Sequence, residues 1–333
     1  MTRVKPIDAA AICRYGGDSQ TAGKAMILSC GESLIDMLPR QTPAGEAAFA
    51  PYAGGAVMNT AMALGRLGAS SGFLSGISTD LFGEMLMAAI EGSTVDTQFC
   101  IRSHRPTTLA FVRLDDGHAS YTFYDENTAG RMIAPADLPV LTPEVTALFF
   151  GGISLMVEPG GATYEALMTR EAVSGRVLML DPNIRPDFIA DEPAYRARIA
   201  RMIGMAHIVK LSDEDLHWLS GPGEIAPLAR ALLEQGPAAV FITRGAAGAH
   251  AFTARHSVFV AARKVAVADT VGAGDTFNAG VLAALELGGH LTPEGVADLS
   301  EAALTGALDL GVRAAAVTVS RPGANPPWAH ELD

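Results

Sequence analysis

The sequence contains few cysteines and few aromatic residues. Its 333 residues include three cysteines, Cys13, Cys30 and Cys100, and only 6% aromatic side chains. The cysteines are odd in number, widely spaced and without a C-x-x-C pair, which argues against a disulfide framework and against a cysteine-based zinc site. We therefore expect a reducing compartment and predict a cytoplasmic protein.

Basic residues are also in deficit. There are 24 Lys and Arg against 36 Asp and Glu, a net charge of −12. Such an acidic chain is poorly suited to binding nucleic acid or anionic membranes without sequence specificity. No apolar run approaches the roughly 20 residues that span a bilayer. With 49% hydrophobic residues the chain can bury a large core. The sequence thus predicts a globular protein without a nucleic-acid or membrane partner, preceded by a loosely ordered extension at residues 1–25.

The most informative stretch spans residues 269–280 and is D-T-V-G-A-G-D-T-F-N-A-G. Small residues at Gly272, Ala273 and Gly274 allow successive backbone N–H groups to point at an anion above a helix N-terminus. Asp275, in the first helical turn, can accept a hydroxyl proton while those amides hold phosphoryl oxygens. The alternating segment 264–268 predicts a strand before this turn. The alternative interpretation of Asp275 is an N-capping carboxylate on a buried helix.

This stretch resembles the C-terminal signature of the PfkB, or ribokinase-like, family of carbohydrate kinases, D-T-x-G-A-G-D-x-F, at every position. The resemblance implies that Asp275 is the base that activates a sugar hydroxyl and that the amides of Gly272, Ala273 and Gly274 form an anion hole. It also implies ATP and Mg²⁺ as cofactors. The dinucleotide pattern G-x-G-x-x-G is not met, because Phe277 stands where its third glycine would be, and a Walker A loop is absent.

Two N-terminal motifs extend the resemblance. A buried strand is predicted at Met26–Cys30, and the G-E-S-L-I-D that follows is typical of the fructokinase and ketodeoxygluconate-kinase branches, in which its Asp, here Asp36, binds sugar hydroxyls. Gly54, Gly55 and Asn59 match a G-G-x-x-x-N helix start whose residues touch the sugar. Without the resemblance, a surface carboxylate at a strand end is the preferred interpretation of Asp36, and Asn59 is unremarkable in a first helical turn.

A β-hairpin is predicted from alternation at 107–114 and 119–124 around a D-D-G turn. The resemblance implies that such strands form a small β lid over the sugar, made here by about 35–52 and 97–124, and we expect a homodimer through it. Arg105, Phe123 and Arg131 are lid-side candidates for substrate contact. Arginine and aromatic residues in a hairpin are otherwise solvated or packed.

Short apolar strands at 146–150, 177–180, 208–211 and 239–243 alternate with helical stretches. This pattern predicts an α/β fold with a mostly parallel sheet covered by helices on both faces. Ligands bind such sheets at the carboxyl ends of strands, where polar residues cluster here. The candidates by resemblance are Arg185 for substrate, Lys210, Thr243, Gly245, Gly248 and Asn278 for ATP, and Asp215 or Glu214 for Mg²⁺.

Two of these motifs are open to other readings. The Mg²⁺ assignment departs from the family's N-x-x-E motif, since Ser212 replaces Asn and Asp215 replaces Glu. The T-x-G-x-x-G nucleotide loop that begins at Thr243 has a simple β-turn as its alternative.

The segment R-P-G-A-N-P-P at 321–327 resembles the family's R-x-G-A-x-P segment. With Asp269 and Val271, the loop carrying Arg321 and Gly323 is a candidate monovalent-cation site, for which K⁺ is the expected ion. The alternative is that Asp269 only pairs with a nearby arginine or caps its turn.

Taken together, the motifs predict a single ribokinase-like kinase domain at 26–333 that transfers the γ-phosphoryl of ATP to a sugar. They most resemble bacterial fructokinases, which implies that D-fructose becomes fructose 6-phosphate. The nearest alternative is 2-keto-3-deoxygluconate kinase, whose carboxylated substrate would need a cation such as Arg105 or Arg185; another sugar or nucleoside kinase also remains open. A non-catalytic sugar-sensing protein on the same fold predicts loss of Asp275 or of the anion-hole amides, and both are present.

Overall fold

A computed structural model describes residues 25–115 and 118–332. The predicted N-terminal extension, apart from its last residue, and the tip of the predicted hairpin lie outside these ranges. The helices are α1 (Ala56–Arg66), α2 (Leu81–Glu91), α3 (Gly160–Glu171), α4 (Glu192–Met205), α5 (Asp213–Ser220), α6 (Ile225–Leu233), α7 (Ala273–Leu287), α8 (Pro293–Ala297) and α9 (Glu301–Val319). The strands are β1 (Met26–Cys30), β2 (Leu34–Gln41), β3 (Ala47–Gly54), β4 (Ser71–Leu74), β5 (Gly76–Ser78), β6 (Val95–Asp96), β7 (Ile101–Ser103), β8 (Leu109–Asp115), β9 (His118–Tyr124), β10 (Val145–Gly151), β11 (Val177–Asp181), β12 (Ile208–Ser212), β13 (Ala239–Thr243), β14 (Gly248–Phe252) and β15 (Ser257–Ala261).

The central sheet has nine strands in the described part of the chain, in the order β15-β14-β13-β12-β11-β10-β1-β4-β6. The strands from β13 to β6 run parallel, and β14 and β15 continue the sheet antiparallel at one edge. The predicted strand at Met26–Cys30 and the four predicted parallel strands are β1 and β10 to β13, so the prediction of an α/β fold with a mostly parallel sheet is confirmed.

Helices cover both faces of this sheet, as predicted. Buried residues of α1, α2, α7 and α9 pack on one face, and those of α3 to α6 pack on the other. Neighbouring residues of one strand alternate between the two cores: Phe149 belongs to the first, and Leu148 and Phe150 belong to the second. Burial on both faces explains why these strands read as continuous apolar runs in the sequence.

Helices α7 and α9 pack at unusually short range. A Cβ atom built on Gly280 would lie 2.6 Å from the Cα atom of Gly311, so this helix crossing requires glycine. Within residues 25–115 and 118–332, α9 is the one helix long and apolar enough to cross a membrane by length and composition, and half of it is buried inside the fold. Such burial is typical of a core helix.

A separate four-stranded sheet, in the order β3-β2-β8-β9, forms a second layer that we call the lid sheet. Strand β2 pairs antiparallel with β3 and parallel with β8, and β8 pairs antiparallel with β9. The predicted lid segment 97–124 begins too early, because β7 within it pairs with β5 instead. The division of the chain into one kinase domain at 26–333 with a lid at about 35–52 and 97–124 stays a prediction.

The predicted strand at 264–268 is wrong. These residues form no strand, and Val265 and Val267 are exposed. The sheet already turns antiparallel at β14, and β15 is its edge strand. The backbone after β15 bonds instead to the end of α9, where the amides of Ala268 and Asp269 donate to the carbonyl of Val319. The turn at 269–275 therefore follows an irregular segment and not a further parallel strand.

Candidate active site

A cavity of about 310 Å³ lies between the lid sheet and the carboxyl-terminal edge of the parallel strands. It has polar and apolar walls, a composition typical of small-molecule sites. The lining residues are Glu32, Leu34, Asp36, Gly55, Ala56, Asn59, Phe123, Ile153, Asn183, Arg185, Phe188, Thr270, Val271, Gly272, Ala273, Gly274 and Asp275. Residues from both ends of the sequence thus meet around one space.

Asp275 lies on the cavity wall in the first turn of α7, as the sequence predicts. Asn59, in the first turn of α1, donates from Nδ2 to Oδ2 of Asp275 over 2.9 Å. Thr60 donates to the backbone carbonyl of Asp275 over 3.2 Å, which ties the two helix starts together. Burial raises the pKa of Asp275 to about 7, although the Asn59 hydrogen bond acts in the opposite direction. A carboxylate with such a pKa is well matched to accept a proton near neutral pH.

The start of α7 is shaped by Gly272. This residue has φ +78°, the left-handed region that side chains rarely adopt, and it directly precedes the first helical residue, Ala273. A Cβ atom at Gly272 would also lie 2.7 Å from the Cβ atom of Ala324. The helix N-terminus faces the cavity with its positive dipole end, which makes it suited to bind an anion beside Asp275.

A buried ion pair lies beneath this turn. Lys210 Nζ donates to Asp181 Oδ2 over 2.9 Å, and Asn278 Nδ2 donates to the same oxygen over 2.7 Å. A Cβ atom at Gly274 would lie 3.2 Å from Lys210 Nζ, so the ammonium sits directly behind the glycine turn. Burial acts to lower the pKa of Lys210, but the carboxylates of Asp181, Asp215 and Asp275 together raise it above its usual value. A protonated Lys210 paired with Asp181 therefore lies behind the anion-binding end of α7.

The opposite wall carries Asp36, on β2 of the lid sheet. Burial raises the pKa of this carboxyl to about 6. A Cβ atom at Gly54 would lie 2.4 Å from Asp36 Oδ2, so the first glycine of the G-G pair makes room for the carboxylate. Gly55 has φ +108° and caps the start of α1. The two glycines thus set Asp36 and Asn59 on the same cavity.

The sequence model of the pfkB family carbohydrate kinases matches residues 24–331 of the chain. The chain belongs to this family. The match covers every described residue except residue 332, so the G-A-G-D turn and the lid sheet both belong to the pfkB-family fold.

Individual relatives agree with the family. The chain is 55% identical over 279 residues to the fructokinase of Rhizobium leguminosarum bv. trifolii, covering 84% of this chain and 85% of the relative. It is similar to the crystal structure of fructokinase with bound ATP from Xylella fastidiosa, with a TM-score of 0.83, 26% identity and coverage of 92% and 97%. A Vibrio cholerae O395 fructokinase structure in a fructose-, ADP- and calcium-bound form gives a TM-score of 0.78 at 25% identity, with coverage of 91% and 95%. The ribokinase-like fold is thereby confirmed.

The structure brings some predicted substrate residues to the cavity and not others. Phe123 and Arg185 line it, together with Asp36, Gly55 and Asn59. Arg131 does not, because its guanidinium pairs with Asp125 Oδ1 at 3.1 Å and donates to the carbonyl of Glu158. Arg105 is exposed and also lies off the cavity. Substrate contact by Arg105 and Arg131 stays a prediction that this arrangement does not support.

The predicted nucleotide loop is a tight turn between β13 and β14. Within it the amide of Arg244 donates to the carbonyl of Gly248 over 2.8 Å, and Gly245 and Gly248 have positive φ angles of 47° and 123°. Thr243 donates to the carbonyl of Leu211. Gly245–Ala247 form a single 3₁₀ turn. ATP contact by this loop stays a prediction.

The two predicted Mg²⁺ residues differ in position. Asp215 is buried and accepts hydrogen bonds from the amides of Ile184 and Ser212, and burial raises the pKa of this carboxyl. Glu214 is exposed. Across residues 25–115 and 118–332 no group of three or more His, Cys, Asp or Glu residues is placed to hold a metal. Both Mg²⁺ assignments stay predictions.

The predicted cation loops meet at Asp269. Its Oδ1 accepts from the amide of Val271 over 3.0 Å, and its Oδ2 accepts from the amide of Gly323 over 2.9 Å. The Arg321 guanidinium pairs with Glu331 instead, the closer contact measuring 2.6 Å. Asp269 thus caps its own turn, as the alternative reading had it, and it also joins two segments far apart in sequence. Whether an ion binds there stays a prediction.

Sequence reasoning missed Glu32, Asp181 and Phe188. The buried carboxylate of Glu32 accepts from the amides of Ala56 and Ser154 over 3.1 and 3.2 Å, which holds two cavity segments together. Burial raises the pKa of Glu32. Glu32 is part of the G-E-S-L-I-D motif after the strand Met26–Cys30, and Asp181 follows the predicted strand at 177–180. A carboxylate at the end of a buried strand was therefore the available signal for both. Phe188 gave no comparable signal, since its ring meets Phe123 of the lid sheet at 3.9 Å only in the folded chain.

Proposed function

We propose that this chain transfers the γ-phosphoryl group of ATP to a hydroxyl of D-fructose and produces fructose 6-phosphate. The observation that carries the proposal is the buried Asp275 beside the N-terminus of α7, facing a cavity whose other wall holds Asp36. The identity to the Rhizobium fructokinase supports fructose as the acceptor. The ATP-bound Xylella fructokinase supports ATP as the donor.

In the proposed reaction Asp275 accepts the proton of the sugar hydroxyl as its oxygen forms a bond to the γ-phosphorus and the bond to ADP breaks. Asn59 orients the Asp275 carboxylate. The backbone amides of Gly272, Ala273 and Gly274 stabilise the negative charge that develops on the phosphoryl oxygens, and the ammonium of Lys210 adds positive charge from behind the turn. Such positioning and charge stabilisation account for most of the rate in phosphoryl transfer. Asp36 accepts hydrogen bonds from other sugar hydroxyls.

Mg²⁺ is part of the proposal as the partner of the nucleotide. It commonly binds through one or two carboxylates together with substrate phosphates and water, a donor set that requires no cluster of three acidic residues. Of the two candidate residues, we propose that Asp215 lies near the bound Mg²⁺ and that the exposed Glu214 does not. When bound, the ion neutralises phosphate charge.

The test is a coupled ADP-release assay with MgATP and a panel of acceptors: D-fructose, other ketoses, aldoses, nucleosides and 2-keto-3-deoxygluconate. The expected result is a kcat/KM for D-fructose well above that of every other acceptor. A preference for 2-keto-3-deoxygluconate would favour the alternative that the chain is a kinase of that sugar acid. The observation in favour of this alternative is Arg185 in the cavity lining, because a carboxylated substrate needs a cation. Sugar binding without ADP release would favour the sugar-sensing alternative.

Monovalent-cation activation is a second part of the proposal. An ion held by carbonyls between the 269–271 and 321–327 segments would stabilise the turn at Gly272 without contacting the sugar, so K⁺ should raise kcat. Rates are compared in KCl and in a bulky organic chloride at constant ionic strength. Equal rates in the two salts would contradict the proposed cation site and leave the kinase assignment intact.

Dimerisation through the lid sheet is the third part. Phe49 and Tyr124, on its outer strands, are 46% and 60% exposed, and the Phe111 ring lies between them at 5.0 and 5.5 Å. An exposed aromatic row suits a protein interface. Light scattering should give twice the chain mass, and Phe49→Asp should reduce the measured mass to that of one chain.

We also propose a cytoplasmic location, with which the free thiols of Cys30 and Cys100 agree.

A further inference from the structure

The anion-binding turn is supported from outside by the chain's C-terminal segment, residues 320–328. The amide of Gly323 donates to Asp269 Oδ2, and the Cβ atom of Ala324 occupies the space that a side chain at Gly272 would need. Asp269 in turn accepts from the amide of Val271. The segment therefore packs on the turn immediately before the first residue of α7.

The segment has little regular structure to hold it in place. Residues 321–324 form a bend and residues 325–328 are without helix or strand. Irregular segments with few backbone hydrogen bonds of their own open easily unless packed elements hold them. The position of this segment on the Gly272 turn therefore depends on identifiable contacts.

Arg66, the last residue of α1, makes those contacts. Its Nη1 donates to Asn325 Oδ1 over 2.7 Å and to the carbonyl of Pro326 over 2.9 Å. Its Nε donates to Ser93 Oγ over 3.1 Å, and its guanidinium carbon lies 5.5 Å from the centre of the Trp328 ring. One half-buried side chain thus binds three residues of the segment, Asn325, Pro326 and Trp328, and joins them to the body of the protein.

The same helix reaches the reacting side of the cavity at its other end. Asn59 in its first turn donates to Asp275, and Arg66 in its last turn holds the segment that packs on Gly272. Helix α1 therefore contacts the base directly and the anion hole through the C-terminal segment. An α-helix of 11 residues is rigid enough to keep these two contacts in a constant relation.

We propose that Arg66 is a positioning residue for the anion hole: by binding Asn325, Pro326 and Trp328 it holds the C-terminal segment against Gly272 and keeps the amides of 272–274 aimed at the transferred phosphoryl group. This inference rests on the proposed kinase function for its kinetic consequence. Its structural consequence, order in the 269–275 turn, is independent of any activity.

The structural test is hydrogen exchange of the whole protein, read by mass spectrometry in peptides covering 269–275 and 320–328. The variant is Arg66→Ala. The matched control is Arg313→Ala, because Arg313 also binds the C-terminal end of the chain, through the carbonyl of Leu332, and its ion-pair partner is Asp309 of α9, outside the 320–328 segment. We expect faster exchange in both peptides for Arg66→Ala and wild-type exchange in 269–275 for Arg313→Ala. Unchanged exchange in 269–275 for Arg66→Ala overturns the proposal.

The kinetic test separates positioning from general destabilisation. Arg66→Ala should lower kcat about 10-fold, less than the 10²–10³-fold that follows outright loss of an anion-hole donor, while KM for the sugar changes little. Arg313→Ala should leave both constants unchanged. A rise in sugar KM with unchanged kcat contradicts the proposal.

One further variant keeps the test decisive. If Arg66→Ala does not fold, as judged by circular dichroism, Arg66→Lys replaces it, since lysine retains the charge but cannot make the paired contacts. It should give an intermediate kcat and intermediate exchange in 269–275; wild-type values in both overturn the proposal. If the wild-type protein phosphorylates no sugar, the proposed function fails, and the exchange experiment still decides the role of Arg66.

Discussion

The two walls of the cavity are built in different ways. The wall around Asp275 is tied to distant parts of the chain: Asn59 binds the Asp275 carboxylate, and the amide of Gly323 binds the carboxylate of Asp269, which precedes the turn. The lid wall is a four-stranded sheet on which burial alone raises the pKa of Asp36. The first wall is held by contacts within the chain, whereas in the proposed function the carboxylate of the second wall takes its polar partners from the sugar. This division suits a kinase, because transfer requires fixed geometry and binding requires a cover that closes over its ligand.

The largest effect should come from the fixed wall. Asp275→Asn keeps the size of the side chain but removes the proton acceptor, so kcat should fall on the order of 10²–10⁴-fold while sugar affinity stays near wild type. Steady-state kinetics and titration calorimetry with sugar measure the two quantities. Asp298→Asn, at an exposed carboxylate far from the cavity, is the control. Near wild-type kcat in Asp275→Asn would remove the assignment of the base.

On the lid wall the effect should appear in binding. Asp36→Ala removes an acceptor of sugar hydroxyls, and hydrogen bonds to a charged group contribute about 1.5–3 kcal/mol, so the sugar KM should rise about 10- to 100-fold. The KM for ATP should change little. Glu46→Ala, at an exposed turn of the same sheet, should change neither constant. If Asp36→Ala also leaves both constants in place, Asp36 is only a surface carboxylate.

The buried base should cost stability, and pH reveals the cost. The pKa of Asp275 is raised to about 7 in the folded chain, so the folded state keeps its proton above pH 4, where the unfolded chain loses it. The free energy of unfolding contributed by this group therefore falls as pH rises from about 4 to about 7, by up to about 1.4 kcal/mol per pH unit. In urea denaturation, the free energy of unfolding of Asp275→Asn should rise relative to that of wild type between about pH 4 and about pH 7. Above that window the difference between the two proteins should stay constant. Parallel curves throughout would contradict the raised pKa.

The smallest effect should come from the contact that joins the two walls. Phe123 of the lid sheet meets Phe188 edge-to-face, and such pairs contribute about 0.5–1.5 kcal/mol beyond their buried area. Phe188→Leu should therefore raise the sugar KM only about 2- to 10-fold and leave kcat unchanged. Phe259→Leu, on the edge strand β15, serves as control. A loss in kcat instead would mean that the lid positions the reacting groups as well as the sugar.

The parallel strands and the glycine motifs were predictable because their causes are local. A strand buried on both faces must be apolar along its length, and Gly272 and Gly55 occupy backbone conformations that side chains rarely adopt. Asp275 could be placed on the first helical turn for the same reason. The strand predicted at 264–268 failed because alternation describes a segment that could pair and does not provide a neighbour to pair with.

What the sequence determined by itself is a local arrangement: a glycine turn, a helix start and a carboxylate adjacent in the chain place backbone amides beside Asp275, as an anion site requires. What only the tertiary structure decided is which distant residues serve it. In the folded chain the guanidinium of Arg131, a predicted substrate residue, binds Asp125 and the carbonyl of Glu158. The guanidinium of Arg66, to which no sequence motif assigns a role, binds the C-terminal segment. A long, flexible cation can reach many partners, and the fold selects among them by geometry that no local pattern records.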